Sequence, residues 1–309
     1  MRSGLTPEQV KQRVREGVQA FPLTDFDEAG EFVPAAYRER VEWMQSHEPG
    51  ALFVAGGAGE FFSLTPREYS DVVSNALVAR TGGTPVIAAA GYGTKLAIEY
   101  AQEAERLDAD GILLLPPYLT ETSQDGLLAH IARVCNSTRL AVIVYNRGNC
   151  RLSASTLRTL VDRCPNLVGF KDGVGNVEEL IRVKSMVGSE IALINGMPTA
   201  EIYAPTFRSL GINSYSSAVF CFSPLIAKKF YKALMADDHD ATSVMMREFF
   251  GEYCRLRASQ PGYAVSIAKA GARLTGHSAG PVRPPIHDLN AEEEQVLSRL
   301  IARFETLPN

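Results

Sequence analysis

The sequence predicts a (β/α)8 barrel followed by a C-terminal group of helices, with a doubly wound open sheet as the alternative. Short apolar runs alternate eight times with amphipathic segments of helical period. These runs are apolar throughout rather than at every second position, which is typical of parallel strands covered on both faces. No Gly-x-Gly-x-x-Gly turn follows the first strand, so the open sheet lacks its most common marker. The barrel is therefore favoured.

Helix-start signals and apolar runs place each element in turn. The opening helix is predicted over 6–16, with Thr6 as N-cap and Pro7 in the first turn, and a second helix follows around 32–44. The helix over 65–80 begins Thr-Pro-Arg-Glu, which combines an N-cap residue, a proline and a capping-box glutamate. The strands are predicted at 17–22, 51–55, 85–90, 111–115, 140–145, 167–171, 191–195 and 212–216. The other barrel helices are predicted at 94–107, 123–135, 153–164, 177–187, 199–210 and 224–235.

The strand candidates end before the last part of the chain. Residues 1–236 form the predicted barrel with its N-terminal helix, and residues 237–309 form a predicted helical segment packed on the barrel. Within the second part, helices are predicted near 241–258, 263–274 and 291–306, with a loop over 276–285.

Composition excludes several classes of protein. The net charge of -4 and the lack of a Lys/Arg run argue against a nucleic-acid or anionic-membrane partner. The 5 cysteines form no Cys-x-x-Cys pair, and the 5 histidines show no ligand spacing, so we expect reduced thiols and no metal site. The N-terminus lacks an apolar signal core, and no run approaches about 18 apolar residues. We therefore expect a soluble cytoplasmic protein.

The sixth apolar run, residues 167–171, ends in Lys171 and leads into the glycine-rich segment 172–176. A lysine at a rigid strand end inside a barrel is poorly hydrated, and desolvation lowers the pKa of an ammonium group. The free amine is the form that attacks a ketone to give a Schiff base. A lysine that caps a strand and points to water is the ordinary alternative, so the assignment depends on the neighbours of Lys171.

In such a barrel the active site lies where strands end and the following loops begin. Tyr145 and Lys171 end neighbouring strands, whose backbones we expect to lie about 4.8 Å apart. A phenol there can move protons next to an imine formed on Lys171. This chemistry needs neither a metal nor a nicotinamide, and the sequence contains no motif for either, so we expect no cofactor.

Motifs spread over nearly the whole chain resemble a known family. The segments Gly56-Gly57-x-Gly59-Glu60, Tyr145-Asn146 and Gly169-Phe170-Lys171-Asp172 are similar to the signature of the class I aldolase superfamily that contains dihydrodipicolinate synthase and N-acetylneuraminate lyase. Segments at 59–64, 145–147, 195–201, 215–220 and 279–285 resemble its 5-dehydro-4-deoxyglucarate dehydratase branch. The resemblance implies that Lys171 is the Schiff-base lysine, that Tyr145 is the acid/base residue, and that the reaction is dehydration with decarboxylation of a keto-deoxy sugar diacid.

A dianionic sugar-acid substrate requires two anion-binding regions. Near the imine, the amides of Gly57 and Ala58 can approach a carboxylate as an amide nest does, although these residues can equally make only a tight turn. For the far carboxylate we expect Arg147, with hydrogen-bond donors from three further side chains, Asn195, Ser216 and Ser217. Weaker candidates are Arg151 and Arg283. Glu60 more often suits a structural role, accepting backbone amides.

Two departures from the family pattern bear on the reaction. Members that condense pyruvate commonly have a Thr-Thr pair after strand two and two consecutive tyrosines after strand four, where this sequence has Gly57-Ala58 and Tyr118-Leu119. The missing relay disfavours dihydrodipicolinate synthesis. An aldol-type lyase or synthase acting on another 2-keto acid stays open, as does a noncatalytic sugar-acid-binding barrel. The resemblance also implies a homotetramer.

Overall fold

The computed structural model describes residues 4–305 and shows a barrel of eight parallel strands. The strands are β1 (Glu16–Gln19), β2 (Leu52–Val54), β3 (Val86–Ala90), β4 (Gly111–Leu114), β5 (Ala141–Asn146), β6 (Leu167–Asp172), β7 (Ala192–Asn195) and β8 (Asn213–Ser216). Their order in the sheet is β1-β8-β7-β6-β5-β4-β3-β2, and a parallel bridge between Ala20 and Leu52 joins its two edges. The predicted (β/α)8 barrel is confirmed.

Helices surround the barrel and alternate with its strands. A helix α1 (Pro7–Val14) precedes β1, and one helix follows each strand: α2 (Pro34–Ser46), α3 (Pro66–Val78), α4 (Thr94–Arg106), α5 (Gln124–Cys135), α6 (Ala154–Arg163), α7 (Val177–Val187), α8 (Ala200–Ser209) and α9 (Pro224–Met235). The two predicted N-cap residues, Thr6 and Thr65, each form a capping box with the residue three positions later. None of the helices within residues 4–305 is both long and apolar enough to cross a bilayer.

The largest boundary difference is at the first strand. The prediction extends the strand to Pro22, whereas β1 ends at Gln19 and Ala20 makes only the closing bridge. Pro22 has no amide hydrogen with which to continue the hydrogen bonds between strands, so the apolar run extends beyond the end of the strand. The side chain of Phe21 instead turns towards the barrel mouth, where it contacts Lys171.

The C-terminal part is helical, as expected. Helix α10 (His239–Met245) continues through a single π-helical turn, Met246–Phe250, into α11 (Gly251–Ala258). Two further helices follow, α12 (Tyr263–Leu274) and α13 (Ala291–Glu305). Lys269 of α12 forms an ion pair, 2.8 Å long, with Glu60 in the loop after β2, so this segment is tied to the loops at the barrel mouth.

Candidate active site

The candidate site lies at the carboxyl ends of β5 and β6. In the parallel register Tyr145 pairs with Lys171, and Asn146 pairs with Asp172. The Nζ atom of Lys171 lies 4.2 Å from the ring centroid of Tyr145. The predicted juxtaposition of amine and phenol is present.

Lys171 is enclosed by aromatic rings rather than by charges. Its side chain is buried at 4% exposure, and Nζ also lies 4.3 Å from the ring centroid of Phe21. No carboxylate of the described residues comes within ion-pair distance of Nζ. Burial, assisted by the positive charge of Arg147, lowers the pKa of Lys171 to about 7. A large share of the amine is therefore unprotonated at neutral pH.

Two glycines make room for this pair of side chains. A Cβ atom at Gly196 would lie 2.5 Å from Cγ of Lys171 and 3.0 Å from Cε2 of Tyr145. A Cβ atom at Gly173 would lie 2.8 Å from the same Tyr145 carbon. Both positions therefore require glycine for close approach of the backbone. The available sequence signal was a glycine directly after a strand end, which by itself does not distinguish close approach from a turn.

The phenol of Tyr145 is held by two hydrogen bonds. Its hydroxyl donates to the carbonyl oxygen of Gly196 over 2.8 Å and accepts from Nη1 of Arg147 over 2.9 Å. Burial raises the pKa of Tyr145, while Arg147 acts in the opposite direction. The hydroxyl is therefore a neutral proton donor whose deprotonated form Arg147 would stabilise.

Asp172 orients the loop after β6 instead of facing the amine. Its Oδ1 atom accepts from Nδ2 of Asn146 over 2.7 Å, and its Oδ2 atom accepts from the amide of Gly175 over 2.8 Å. Burial raises the pKa of this carboxyl group. Asn146 in turn accepts from the amide of Leu152 over 2.9 Å, which fixes the neighbouring loop after β5.

The loop after β2 contains Gly57 and Ala58, the two residues predicted to bind a carboxylate through their backbone amides. Gly57 is exposed, Ala58 is half-buried, and within residues 4–305 the amides of both lack a hydrogen-bond acceptor. The loop folds back because Ala55 and Glu60 adopt positive φ values of 49° and 56°. This geometry is compatible with the predicted carboxylate nest.

Glu60 has the structural role that the sequence favours. Its carboxylate is fully buried, pairs with Lys269 and accepts from the backbone amide of Arg283 over 3.0 Å. The guanidinium of Arg283 is itself occupied by Gly30, Ser63 and Glu68. Arg283 is therefore part of the same support and is not available to a substrate.

The side chains predicted for the far carboxylate separate into two groups. Arg147 is exposed at the barrel mouth, and the hydroxyl of the half-buried Ser216 lies 3.5 Å from the carbonyl oxygen of Asn195. The Asn195 side chain, in contrast, donates to the carbonyl of Ala200 over 2.9 Å and accepts from the amide of Met197 over 3.1 Å. It shapes the turn after β7, so substrate would have to displace these bonds to reach it.

Ser217 is likewise committed to protein contacts. It is fully buried, donates to Glu201 over 2.5 Å and accepts from the amide of Phe220 over 3.1 Å. Successive residues at a strand end point to opposite faces, so Ser216 and Ser217 face different environments. The position of Ser216 and Ser217 at the end of a predicted strand did not indicate which of the two side chains faces the inside of the barrel.

Comparisons with known proteins identify the family to which the chain belongs. The dihydrodipicolinate synthetase family model matches residues 15–304. A relative from Leptothrix cholodnii named "Probable 5-dehydro-4-deoxyglucarate dehydratase" is 51% identical, covering 97% of this chain and 99% of its own. The 5-dehydro-4-deoxyglucarate dehydratase of Pseudomonas putida is 48% identical with the same coverage, 97% and 99%.

Solved structures support the fold independently. The dihydrodipicolinate synthase from Oceanobacillus iheyensis superposes with a TM-score of 0.89 at 22% identity, covering 97% of this chain and 100% of its own. The enzyme from Bacillus clausii gives a TM-score of 0.87 at 24% identity, with coverage of 95% and 99%. At these identities the likeness concerns the barrel and its helices.

Proposed function

The chain belongs to the dihydrodipicolinate synthetase family, and from this premise we propose that it is a lyase of the 5-dehydro-4-deoxyglucarate dehydratase type. Its reaction converts 5-dehydro-4-deoxy-D-glucarate to 2,5-dioxopentanoate, water and carbon dioxide, a step in the catabolism of glucarate and galactarate. The observation that carries the proposal is Lys171, which is buried beside the phenol of Tyr145 with no counter-ion among residues 4–305. The names of relatives about half identical over nearly the whole chain supply the substrate.

The reaction begins at the free amine of Lys171. It attacks the C5 ketone, and loss of water leaves a protonated imine. The rings of Phe21 and Tyr145 offer their faces to this cation at the distances seen for Nζ, 4.3 and 4.2 Å. No carboxylate of residues 4–305 pairs with it, so the imine stays a strong electron sink.

One electron sink serves both bond cleavages. Loss of a proton from C4 gives an enamine, which expels the C3 hydroxyl as water and leaves a conjugated iminium. The C1 carboxylate then departs as carbon dioxide, and the electrons of the C1–C2 bond pass along the conjugated system to nitrogen. Protonation and tautomerisation of the resulting enol give the aldehyde at C2, and hydrolysis frees Lys171.

Tyr145 is the proton carrier in this scheme. Its ring centroid lies 4.2 Å from Nζ of Lys171, and the hydrogen bond from Arg147 to its hydroxyl stabilises the phenolate formed when Tyr145 gives up its proton. Gly196 accepts from the same hydroxyl and fixes its direction.

We assign the two substrate carboxylates to opposite sides of Lys171. The amides of Gly57 and Ala58 receive the C6 carboxylate next to the imine, and Arg147 with Ser216 receives the C1 carboxylate. Asn195 and Ser217 support this second region through the turns they hold.

The test is carbon NMR of the protein with 5-dehydro-4-deoxy-D-glucarate, without added metal or nucleotide. We expect 2,5-dioxopentanoate and carbon dioxide, abolished by Lys171→Ala, and we expect Tyr145→Phe to slow turnover by about 10²–10⁴-fold. Tyr203→Phe, at an exposed tyrosine, is the matched control. Unchanged substrate together with pyruvate release from keto-deoxy sugar acids would favour the aldol alternative. Failure of borohydride and a keto acid to label Lys171 would favour a noncatalytic barrel.

We further propose that the protein is a homotetramer, as the family resemblance implies. Tyr118 and Leu119, in the loop after β4, are 65% and 81% exposed, and so supply apolar surface near the barrel mouth that a second copy would cover. Light scattering should give four times the chain mass of 33.6 kDa, and a monomer would contradict the proposal.

A further inference from the structure

Glu201 is a buried carboxyl group that the mechanism above does not use. It lies in the first turn of α8 and has no solvent exposure. Its Oε1 atom lies 2.5 Å from Oγ of Ser217, and its Oε2 atom is buried with no hydrogen-bond partner among the described residues. A carboxylate in this position would have the Ser217 donor at Oε1 but no donor at Oε2 to compensate its buried charge.

Burial favours the neutral form of Glu201, whereas the Ser217 hydroxyl, the backbone amide of Glu201 and the charge of Arg257 favour the ionised form. The charged and titratable groups that act on it are Tyr215 of β8, Cys221 after β8, and Tyr253, Cys254 and Arg257 of α11. Arg257 alone among them is positive, and its Nη1 atom donates to the hydroxyl of Thr199 over 2.7 Å. Burial raises the pKa of Glu201 to about 7, and the hydrogen bond from Ser217 opposes this only partly.

The hydrogen bond between Glu201 and Ser217 connects two loops of the active site. Glu201 follows the turn after β7, in which the carbonyl of Gly196 accepts from the Tyr145 hydroxyl. Ser217 follows Ser216 at the end of β8, and its amide donates to the carbonyl of Gln19 in β1. The contact between Glu201 and Ser217 therefore links the loop that holds the Tyr145 acceptor to the strand end that holds Ser216.

We propose that neutral Glu201 is a positioning residue that fixes the loops after β7 and β8, and that its ionisation, by leaving an uncompensated charge at Oε2, displaces these loops and slows the reaction. The proposal rests on the function proposed above. An uncompensated buried charge is costly, and displacement of the surrounding chain towards water relieves that cost. Activity should therefore rise with pH as Lys171 loses its proton and fall again as Glu201 ionises.

The first test compares pH profiles of the wild type, Glu201→Gln and Glu201→Ala. Glutamine keeps an acceptor for Ser217 and cannot ionise, so Glu201→Gln should retain the acidic limb of kcat and lose the alkaline limb. Glu201→Ala should lower kcat about 10-fold or more at pH 6.5, while pyruvate and borohydride still label Lys171. An unchanged alkaline limb in Glu201→Gln, or a wild-type kcat in Glu201→Ala, would overturn the proposal.

The second test needs no substrate and so separates this inference from the proposed function. Because the pKa of Glu201 is raised on folding, the folded protein binds more protons than the unfolded chain between about pH 4.5 and 7. Glu201 therefore makes the free energy of unfolding fall as the pH rises through that range. The melting temperature of the wild type should therefore fall relative to that of Glu201→Gln between pH 5 and 8. A constant difference between the two would contradict a buried neutral Glu201, even if the enzyme turns over its substrate as proposed.

Discussion

Two buried lysines of this chain differ in whether an acidic partner compensates their charge. Lys171 at the end of β6 and Lys269 in α12 are 4% and 0% exposed, and each Nζ atom lies 4.3 Å from a phenylalanine ring, Phe21 and Phe26 respectively. Lys269 pairs with Glu60 over 2.8 Å and donates to the carbonyl of Pro281 over 2.7 Å. Lys171 has no acidic partner among residues 4–305, and its pKa falls to about 7.

The comparison separates the effect of burial from the effect of a partner. Burial lowers the pKa of both lysines, and the Glu60 carboxylate opposes that effect at Lys269. A buried amine with a partner remains a charge that holds the fold together. A buried amine without one becomes a nucleophile at neutral pH.

Removal of Lys171 should have the largest effect on activity. Lys171→Met should lower turnover by on the order of 10⁴-fold or more, because the variant has no amine at the end of β6 to form the imine. It should also increase the free energy of unfolding at pH 6 by about 2–4 kcal/mol. The reason is that the lowered pKa of Lys171 makes the wild-type lysine destabilising below about pH 7. This destabilisation fades as the pH rises towards 10.5. Lys232→Met on the exposed face of α9 is the control. A Lys171→Met protein less stable than the wild type at pH 6 would refute the account of burial.

The same substitution at Lys269 should change stability in the opposite direction. Lys269→Met leaves Glu60 as an uncompensated buried charge and should reduce the free energy of unfolding by about 3–5 kcal/mol. The double variant Glu60→Gln/Lys269→Met should recover much of that loss, which denaturant unfolding can measure. Equal losses in the single and double variants would mean that packing, and not the ion pair, stabilises this contact.

Loss of Arg147 should change the pKa of Lys171 only slightly, which is the smallest of the expected effects. It tests how much of the low pKa comes from a neighbouring charge and how much from burial. Arg147 contributes to the low pKa of Lys171, so Arg147→Ala should move the acidic limb of Schiff-base formation to higher pH. The shift should be less than about one pH unit, because Arg147 is exposed and solvent screens its charge. Borohydride trapping with pyruvate, which lacks a second carboxylate, measures this, with the exposed Arg151→Ala as control. If the acidic limb of Arg147→Ala did not move, burial alone would account for the low pKa of Lys171.

The sequence predicted what local patterns determine. Apolar runs and capping residues located all eight strands and their helices, and the neighbouring strand ends predicted the pairing of Tyr145 with Lys171. Contacts between distant segments were not predictable in this way. Nothing local to Glu60 indicates Lys269, and nothing local to Lys171 indicates Phe21, because these contacts exist only after the barrel closes.

Side-chain direction at loop positions was the other limit. Asn195 and Ser217 have suitable donors at suitable strand ends, yet hydrogen bonds turn both away towards the chain itself. Side chains alternate between the two faces of a strand, but which residues face inward is known only once the register is known. The direction of the last residue of a strand is therefore not predictable from its position in the sequence.

The ion pair between Glu60 and Lys269 has a consequence for synthesis of the chain. The ribosome makes Glu60 long before Lys269, and at about 5–20 residues per second the delay is on the order of ten seconds or more. During that interval the strands of the barrel can already be outside the ribosome, but the loop after β2 cannot bury its glutamate with a compensating charge. The loop after β2, in which we propose the carboxylate nest, is therefore completed late, by a helix outside the barrel.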